Sequence, residues 1–366
     1  MLSVKDLLQE WNDTSKKTHS LVEAFVSESA IGRRYLLGRN EHATAVMQTI
    51  EIDGVIDDYA GSGENWNGKP VLKTEYVPDQ AIIVNCSMCT APVSAARRLA
   101  ELEMASVLPL ADLCRHLPER FRVPEFVRLT RQEVTKHQAA WIEMYEAFAD
   151  EESRRTLNDI LHFRLTGDYR SMHSYSVRPE EQYFETFLGL SEGIVFVDAG
   201  GFDGDTTEQF CQRYPQYKHV YLFEPSEKNL AKARQRLKQF RDITLIGKGL
   251  SDQQGLLAFN AEAGSACSVV QEGCYQIQVT TLDERVDERV SFIKMDLEGW
   301  ELHALEGAQS HILKEKPVLA IAVYHDAADF RKTFEYVTAL DSDYRVYLRH
   351  YTEGWSETVM YFIPGV

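Results

Sequence analysis

Beyond Gly193 the chain alternates short apolar runs with helix-length amphipathic stretches, and that alternation leaves few folds open to it. Strands are expected at residues 194–199, 220–224, 243–246, 292–296 and 318–324. A strand-helix-strand rhythm of this kind buries both faces of a parallel sheet, which gives a doubly wound α/β fold. Two further runs, 344–349 and 358–363, are joined only by a loop through Gly354. They are therefore expected to pair antiparallel at the sheet edge, bringing the sheet to seven strands. Open sheets of this class take ligands at the carboxyl ends of their strands.

Three of those strand ends carry chemistry. The first is Val195-Phe-Val-Asp198-Ala-Gly200-Gly201-Phe202-Asp203-Gly204-Asp205-Thr206, a strand, a glycine turn and a helix start. Its glycines let backbone approach a ligand. Asp205 and Thr206 are positioned to cap the helix, and Asp198 can face a cationic amine. The second is Tyr221-Leu-Phe-Glu224-Pro225, about twenty residues past Gly204, where Glu224 can accept both hydroxyls of a ribose. Together they indicate a nucleoside cofactor. The turn leads with an acid and departs from G-x-G-x-x-G, which favours S-adenosylmethionine, with its sulfonium and ammonium, over a nicotinamide dinucleotide.

The third is Ser291-Phe-Ile-Lys294-Met-Asp296-Leu-Glu298-Gly-Trp300-Glu301, which gathers four charges at one strand end and helix start. By strand alternation Lys294 and Asp296 share a face. Acids at a helix start also serve the dipole, so capping competes with function at Glu298 and Glu301. The spacing of the carboxylates is not diagnostic of a metal, and none is assigned.

The amino-terminal half reads as a smaller Rossmann-like α/β unit with strands at 34–38, 54–57 and 81–84 and a turn-rich loop at 61–68 leading to Pro70-Val-Leu. Helices are expected at 21–29 and 41–50, then at 95–108 and 131–149, and a connecting helix at 151–167. Expected blocks are 1–115, a helical connector 116–178, and 179–366. Gly38 and Asp57 stand where a nucleotide or sugar-nucleotide would lie, but Gly38 is the single glycine of a motif that wants three. A docking or oligomerisation domain is the other reading. Trp141, Met144, Tyr145 and Phe148 recur at helical spacing and belong to a core. Cys86 and Cys89 have C-x-x-C spacing with no second pair, which reads as buried thiols rather than a metal or redox site.

A formal net charge of −17 argues against nucleic acid as a partner. No apolar run is long enough to span a bilayer. The opening ten residues pattern as an amphipathic helix rather than a signal peptide, so a cytoplasmic protein is expected.

The span 180–364 resembles the FkbM family of S-adenosylmethionine-dependent methyltransferases. The matching stretches are 196–206, Phe223-Glu-Pro225, Gly249-Leu-Ser-Asp252, Gly264-Ser-Ala266, Thr281-Leu-Asp283, 292–301, 319–325, and Arg349-His-Tyr351 with Glu357-Thr358. Residues 163–167 and 181–184 also fit members with an amino-terminal Rossmann-like domain. The resemblance implies O-methyl transfer to a sugar of a glycan or to a glycosylated or polyketide-type small molecule. It implies that Asp198, Gly200 and Gly204 lie along the methionine part, and that Gly201, Phe202, Asp205 and Thr206 also line the cofactor. Glu224 and Pro225 then hold the ribose, Leu250 and Ser251 flank the adenine, and Gln182 and Tyr183 close over the methionine end with Asp296. Trp300 departs from the small residue usual there.

Methyl transfer to a hydroxyl needs alignment and a base. His325, at the end of an apolar strand, is the first candidate, and Asp296 the second. Lys294 is expected to hold an acceptor oxygen or neutralise the carboxylates. Glu298, Tyr324, Arg349 and His350 are expected at the acceptor. Two other readings are a non-catalytic adenosylmethionine-binding module and a nicotinamide oxidoreductase.

Overall fold

The central strands carry buried residues at every position, so both faces of each sheet must be covered. This holds for Arg34–Leu37, Ile82–Asn85, Val195–Ala199, Phe292–Met295 and Val318–Ala322. The computed structural model describes residues 16–101, 106–260, 268–269 and 275–365. The opening ten-residue pattern and the 264–266 motif lie outside them. The chain forms two compact units whose boundaries interleave. The first takes the described residues of Met1–Ile142, then Arg155–Pro179 and Tyr351–Ser356; the second takes Glu143–Arg154, Glu180–His350 and Glu357–Val366. They cut across the blocks expected from sequence, because six residues near the carboxyl end belong to the first unit.

The first unit holds β1 (Arg34–Leu37), β2 (Gly54–Ile56), β3 (Asn65–Trp66), β4 (Lys69–Leu72), β5 (Ile82–Asn85) and β6 (Ser106–Pro109). Their order is β3-β4-β2-β1-β5-β6, parallel except for the β3–β4 pair. The topology reverses at β1, as in a Rossmann half. The expected helix at 95–108 is instead a helix at Pro92–Ala100 followed by β6. The expected helix at 131–149 is two, Glu125–Lys136 and Gln138–Ala147. Trp141, Met144 and Phe148 are buried as expected, while Tyr145 is half-buried.

The second unit holds β7 (Val195–Ala199), β8 (His219–Phe223), β9 (Ile243–Ile246), β10 (Gly249–Leu250), β11 (Gly255–Asn260), β12 (Ser268–Val269), β13 (Tyr275–Thr280), β14 (Phe292–Met295), β15 (Val318–Ala322), β16 (Arg345–His350) and β17 (Thr358–Ile363). Seven of these form one sheet in the order β16-β17-β15-β14-β7-β8-β9. It is parallel from β15 to β9, and β17 runs antiparallel to both of its neighbours. The antiparallel edge pair is the one expected. A separate four-stranded sheet, β10-β13-β11-β12, was not expected from the sequence. No helix of the described residues is long and apolar enough to cross a membrane.

Candidate active site

All of the site described here lies in the second unit. At the end of β7 the chain turns at Gly200 with φ of 79°. A Cβ there would stand 1.9 Å from the Asp296 carbonyl oxygen, so only glycine lets this turn close on the end of β14. Gly204, with φ of 85°, is the N-cap of helix Asp205–Arg213. Asp205 and Thr206 therefore sit in the first turn rather than at the cap, where Asp205 Oδ1 accepts from the Thr206 amide at 2.7 Å. An acid there meets the positive end of the helix dipole.

Glu224, just past the end of β8, is buried and accepts from two backbone amides, Phe202 N at 3.0 Å and Ser226 N at 2.8 Å. Burial raises its pKa, and those amide bonds act in the opposite direction. A carboxylate offers about four lone-pair sites, so two bonds leave capacity for a ligand. Pro225 follows it half-buried.

Asp198 and Lys294 are both buried. Lys294 Nζ donates to Asp198 Oδ1 at 3.0 Å and to the Gly200 carbonyl at 2.7 Å. Thr207 Oγ1 donates to the other Asp198 oxygen at 2.7 Å. Burial alone would lower the Lys294 pKa, but Asp198 and Asp296 hold it above its usual value. The ammonium, expected either to hold an acceptor oxygen or to neutralise carboxylates, is bonded to Asp198 and to the turn it braces.

The ends of β14 and β15 meet in an acidic cluster. Asp296 Oδ2 accepts from the Tyr183 hydroxyl at 2.8 Å, and Oδ1 lies 3.4 Å from the Tyr324 hydroxyl. His325 Nε2 lies 3.4 Å from Asp296 Oδ1 and 3.3 Å from Glu298 Oε2, and Nδ1 lies 3.2 Å from Glu301 Oε1. None of these three contacts has hydrogen-bond geometry, and both imidazole nitrogens are without a hydrogen-bond partner. Glu301 Oε1 accepts from the Leu297 amide at 2.6 Å, so capping is part of its task, and Oε2 has no partner. Burial would lower the His325 pKa, but Glu301, Glu298 and Asp296 outweigh it and raise it well above the ordinary value. Burial pushes up the phenols of Tyr183 and Tyr324, with the Asp296 charge adding to it, so both remain neutral donors.

One acid of this cluster was assigned no role from sequence. Glu357 precedes β17, accepts from Gln182 Nε2 at 2.8 Å, and has its pKa pushed up to about 7, first by burial and then by Asp296. Eight non-glycine residues among those described have positive φ. Four of them, Tyr183, Phe202, Glu298 and Glu357, stand around this cluster and the glycine turn. Strained backbone concentrated in one place is a mark of a working site.

Other expected residues are occupied elsewhere. Arg349 is buried against Asp150, with Nη2 to Oδ2 at 2.7 Å, and donates to Ser153 Oγ at 3.0 Å. His350 Nδ1 and Thr358 Oγ1 are 2.9 Å apart across the β16–β17 pair. The structure does not bring either side chain's described bonds into the cluster. Leu250 and Ser251 are buried, and Ser251 Oγ accepts from the Trp300 indole at 3.1 Å. That bond shows what Trp300 does: it fastens the loop after β14 to the end of β10.

In the first unit, Asp57 takes Arg39 Nε at 2.6 Å, and Glu64 pairs with the same guanidinium. At the first turn of helix Pro92–Ala100 the Ser94 amide donates to Glu353 Oε2 at 2.7 Å and its hydroxyl to Oε1 at 2.5 Å. Cys86 is buried and Cys89 exposed, and both are free thiols. Burial pushes the Cys86 thiol well above its usual range, which suits an inert buried sulfur.

Residues 198–352 match a family model described as methyltransferase FkbM domain. Among solved structures, methyltransferase FkbM from Methylobacillus flagellatus KT is 22% identical, with 99% of each chain covered and a TM-score of 0.74. At that identity the likeness is one of fold, and it extends over both units of the chain. An rRNA methylase from Streptococcus thermophilus is 21% identical over 48% of this chain and 90% of its own, with a TM-score of 0.34, too low to carry an argument. No curated protein matches the chain.

Proposed function

We propose, with the methyltransferase FkbM domain carried by residues 198–352 as premise, that this protein moves a methyl group from S-adenosylmethionine to a hydroxyl oxygen of a sugar, a glycan or a glycosylated small molecule. One observation carries the reading. A glycine turn closes against Asp296, and at the next strand end the Glu224 carboxylate is fixed by two backbone amides.

In this reading the residues fit the cofactor part by part. Glu224 receives the ribose hydroxyls, with Pro225 and Phe202 beside them. Gly200, Gly201 and Gly204 let backbone lie along the methionine part, near Asp205 and Thr206. Leu250 and Ser251 flank the adenine. Gln182 and Tyr183 cover the methionine end, held by Glu357 and Asp296. The Asp198–Lys294 pair supports the turn from beneath and is a positioning device.

The bound cofactor supplies an activated methyl on a sulfonium. The protein must align the acceptor oxygen with that methyl and carry away the acceptor's proton. Asp296 takes that role, beside a His325 imidazole that the surrounding acids keep protonated, with Glu298 and Tyr324 holding the acceptor. A negative cluster also favours binding of a cationic sulfonium.

Calorimetric titration with S-adenosylmethionine, followed by incubation with a panel of hydroxylated glycans and mass analysis, tests the reading. Binding together with a gain of one methyl on a sugar hydroxyl supports it. Binding with no methylated product across the panel would favour a non-catalytic adenosylmethionine module. No binding by the folded protein would overturn the proposal.

A further inference from the structure

We propose that Asp296, Glu301 and His325 form a site for one divalent cation of the Mn²⁺ class, deepening the methyl-transfer reading by giving the acceptor oxygen a metal to approach. One donor atom from each of the three residues lies within 4.8 Å of the other two. A divalent ion about 2.1 Å from each donor needs donors about 3 to 4 Å apart. Asp296 Oδ1 lies 3.4 Å from the imidazole Nε2 and Glu301 Oε1 3.2 Å from its Nδ1, so whichever nitrogen binds the ion already has one carboxylate oxygen at that spacing.

An acidic cluster alone would not make a site; the orphaned atoms aimed into it do. The His325 side chain is 9% exposed, yet neither of its nitrogens has a hydrogen-bond partner. Glu301 is 2% exposed, and its Oε2 is likewise without a partner. Buried polar atoms are rarely left so, because each costs about 1 to 3 kcal/mol. A single cation would take one of the two imidazole nitrogens and a Glu301 oxygen, one donor from each residue. Glu298 Oε2, 3.3 Å from His325 Nε2, is a fourth donor at the rim.

The donor set selects the ion. Two carboxylates and an imidazole suit Mn²⁺ or Zn²⁺ better than Mg²⁺, which prefers oxygen alone. The neighbouring bonds hold the ligands in place: the Leu297 amide on Glu301 and the Tyr183 hydroxyl on Asp296. Such outer bonds are what orient metal ligands. An ion here would lie beside the acceptor position and stabilise its oxygen as the proton leaves.

The test is a Mn²⁺ titration of chelator-stripped, cofactor-free protein, followed by calorimetry and by the loss of the free-ion electron paramagnetic resonance signal. One equivalent should bind. Asp296→Asn and Glu301→Gln should each weaken binding at least tenfold, while Glu306→Gln, in the exposed Asp252–His303–Glu306 group, should leave it unchanged. Circular dichroism checks that the variants fold. In the unmodified protein Mn²⁺ should also broaden the His325 ring resonance first, a readout that needs no variant at the ligands. Absence of binding by folded protein, retained affinity in both ligand variants, or broadening centred on another histidine would overturn the site. Failure of the methyl-transfer reading would appear separately, as no adenosylmethionine binding with the Mn²⁺ titration intact.

Discussion

Asp198 and Lys294 are register partners on adjacent parallel strands, and their side chains meet in a 3.0 Å ion pair that is almost wholly out of water. The pair sits directly under the glycine turn, whose Gly200 carbonyl the same ammonium binds. Lys294→Ala would leave Asp198 buried and unpaired. A loss of about 3–5 kcal/mol of stability is expected, seen as a lower thermal midpoint. Joint replacement as Asp198→Asn with Lys294→Met should recover much of it. A single variant as stable as the parent would show that the pair braces nothing.

Gly200→Ala meets two obstacles, a φ of 79° and a Cβ only 1.9 Å from the Asp296 carbonyl. The turn must move away from β14 for the variant to fold. The expected result is a destabilised protein with no measurable adenosylmethionine binding. Calorimetry alongside thermal unfolding checks both, and normal binding would mean that the turn is not the cofactor cradle.

Glu224→Ala removes a carboxylate proposed to accept two ribose hydroxyls. Charged hydrogen bonds contribute about 1.5–3 kcal/mol each, so losing both should lower adenosylmethionine affinity roughly a hundredfold to ten-thousandfold. The Phe202 and Ser226 amides lose their acceptor as well. The titration should therefore be paired with Glu224→Gln, which keeps the shape and one acceptor and should bind with intermediate affinity.

His325→Ala should lower turnover by about a hundredfold to ten-thousandfold while leaving adenosylmethionine affinity unchanged. Single-turnover rates with saturating cofactor, set against calorimetric affinity, separate those effects. An unaltered rate would remove His325 from the chemistry.

Acid stability in the first unit turns on Asp168. Its burial would raise the pKa, but hydrogen bonds and charge from Arg170 hold it below the ordinary 3.8. A depressed carboxylate contributes stability that is present at neutral pH and is lost as pH falls through the folded value. Asp168→Asn should lower the thermal midpoint at pH 7 and make it fall less steeply below about pH 4. Equal slopes for parent and variant between pH 2 and 4 would show that Arg170 does not hold this group down.

The long apolar strands were legible because burial on both faces leaves a run of residues with little polar interruption. All seven strands of the large sheet were expected where they occur, as was the antiparallel pairing of β16 with β17. Short elements were not. Ser106–Pro109 reads as the tail of a helical pattern because four residues carry too little periodicity to separate a strand from a helix. The sheet of β10 to β13 was also missed: β10 and β12 have two residues each, while β11 and β13, with six, gave no strand pattern that was recognised.

At the site, charges ending a strand were legible as a class but not in their partners. Asp296 and His325 meet because β14 and β15 are neighbours in the sheet. Arg349 has the same appearance in sequence, yet β16 lies at the sheet edge and its guanidinium turns to Asp150. Glu357 reaches the cluster only because the last strand inserts between β16 and β15, bringing residues distant in the chain beside Gln182.

The excursion of residues 351–356 into the first unit has a practical consequence for anyone cutting this gene into pieces. A fragment ending near residue 179 would lack Glu353, and its Ser94 amide and hydroxyl would lose the carboxylate they both bind. A fragment beginning there would carry the same six residues without their first-unit partners, between β16 and β17 of its sheet. Neither half is a self-sufficient module in the sense that a tandem pair of domains would be. Swapping the first unit between related proteins would then require moving three separate stretches of sequence together.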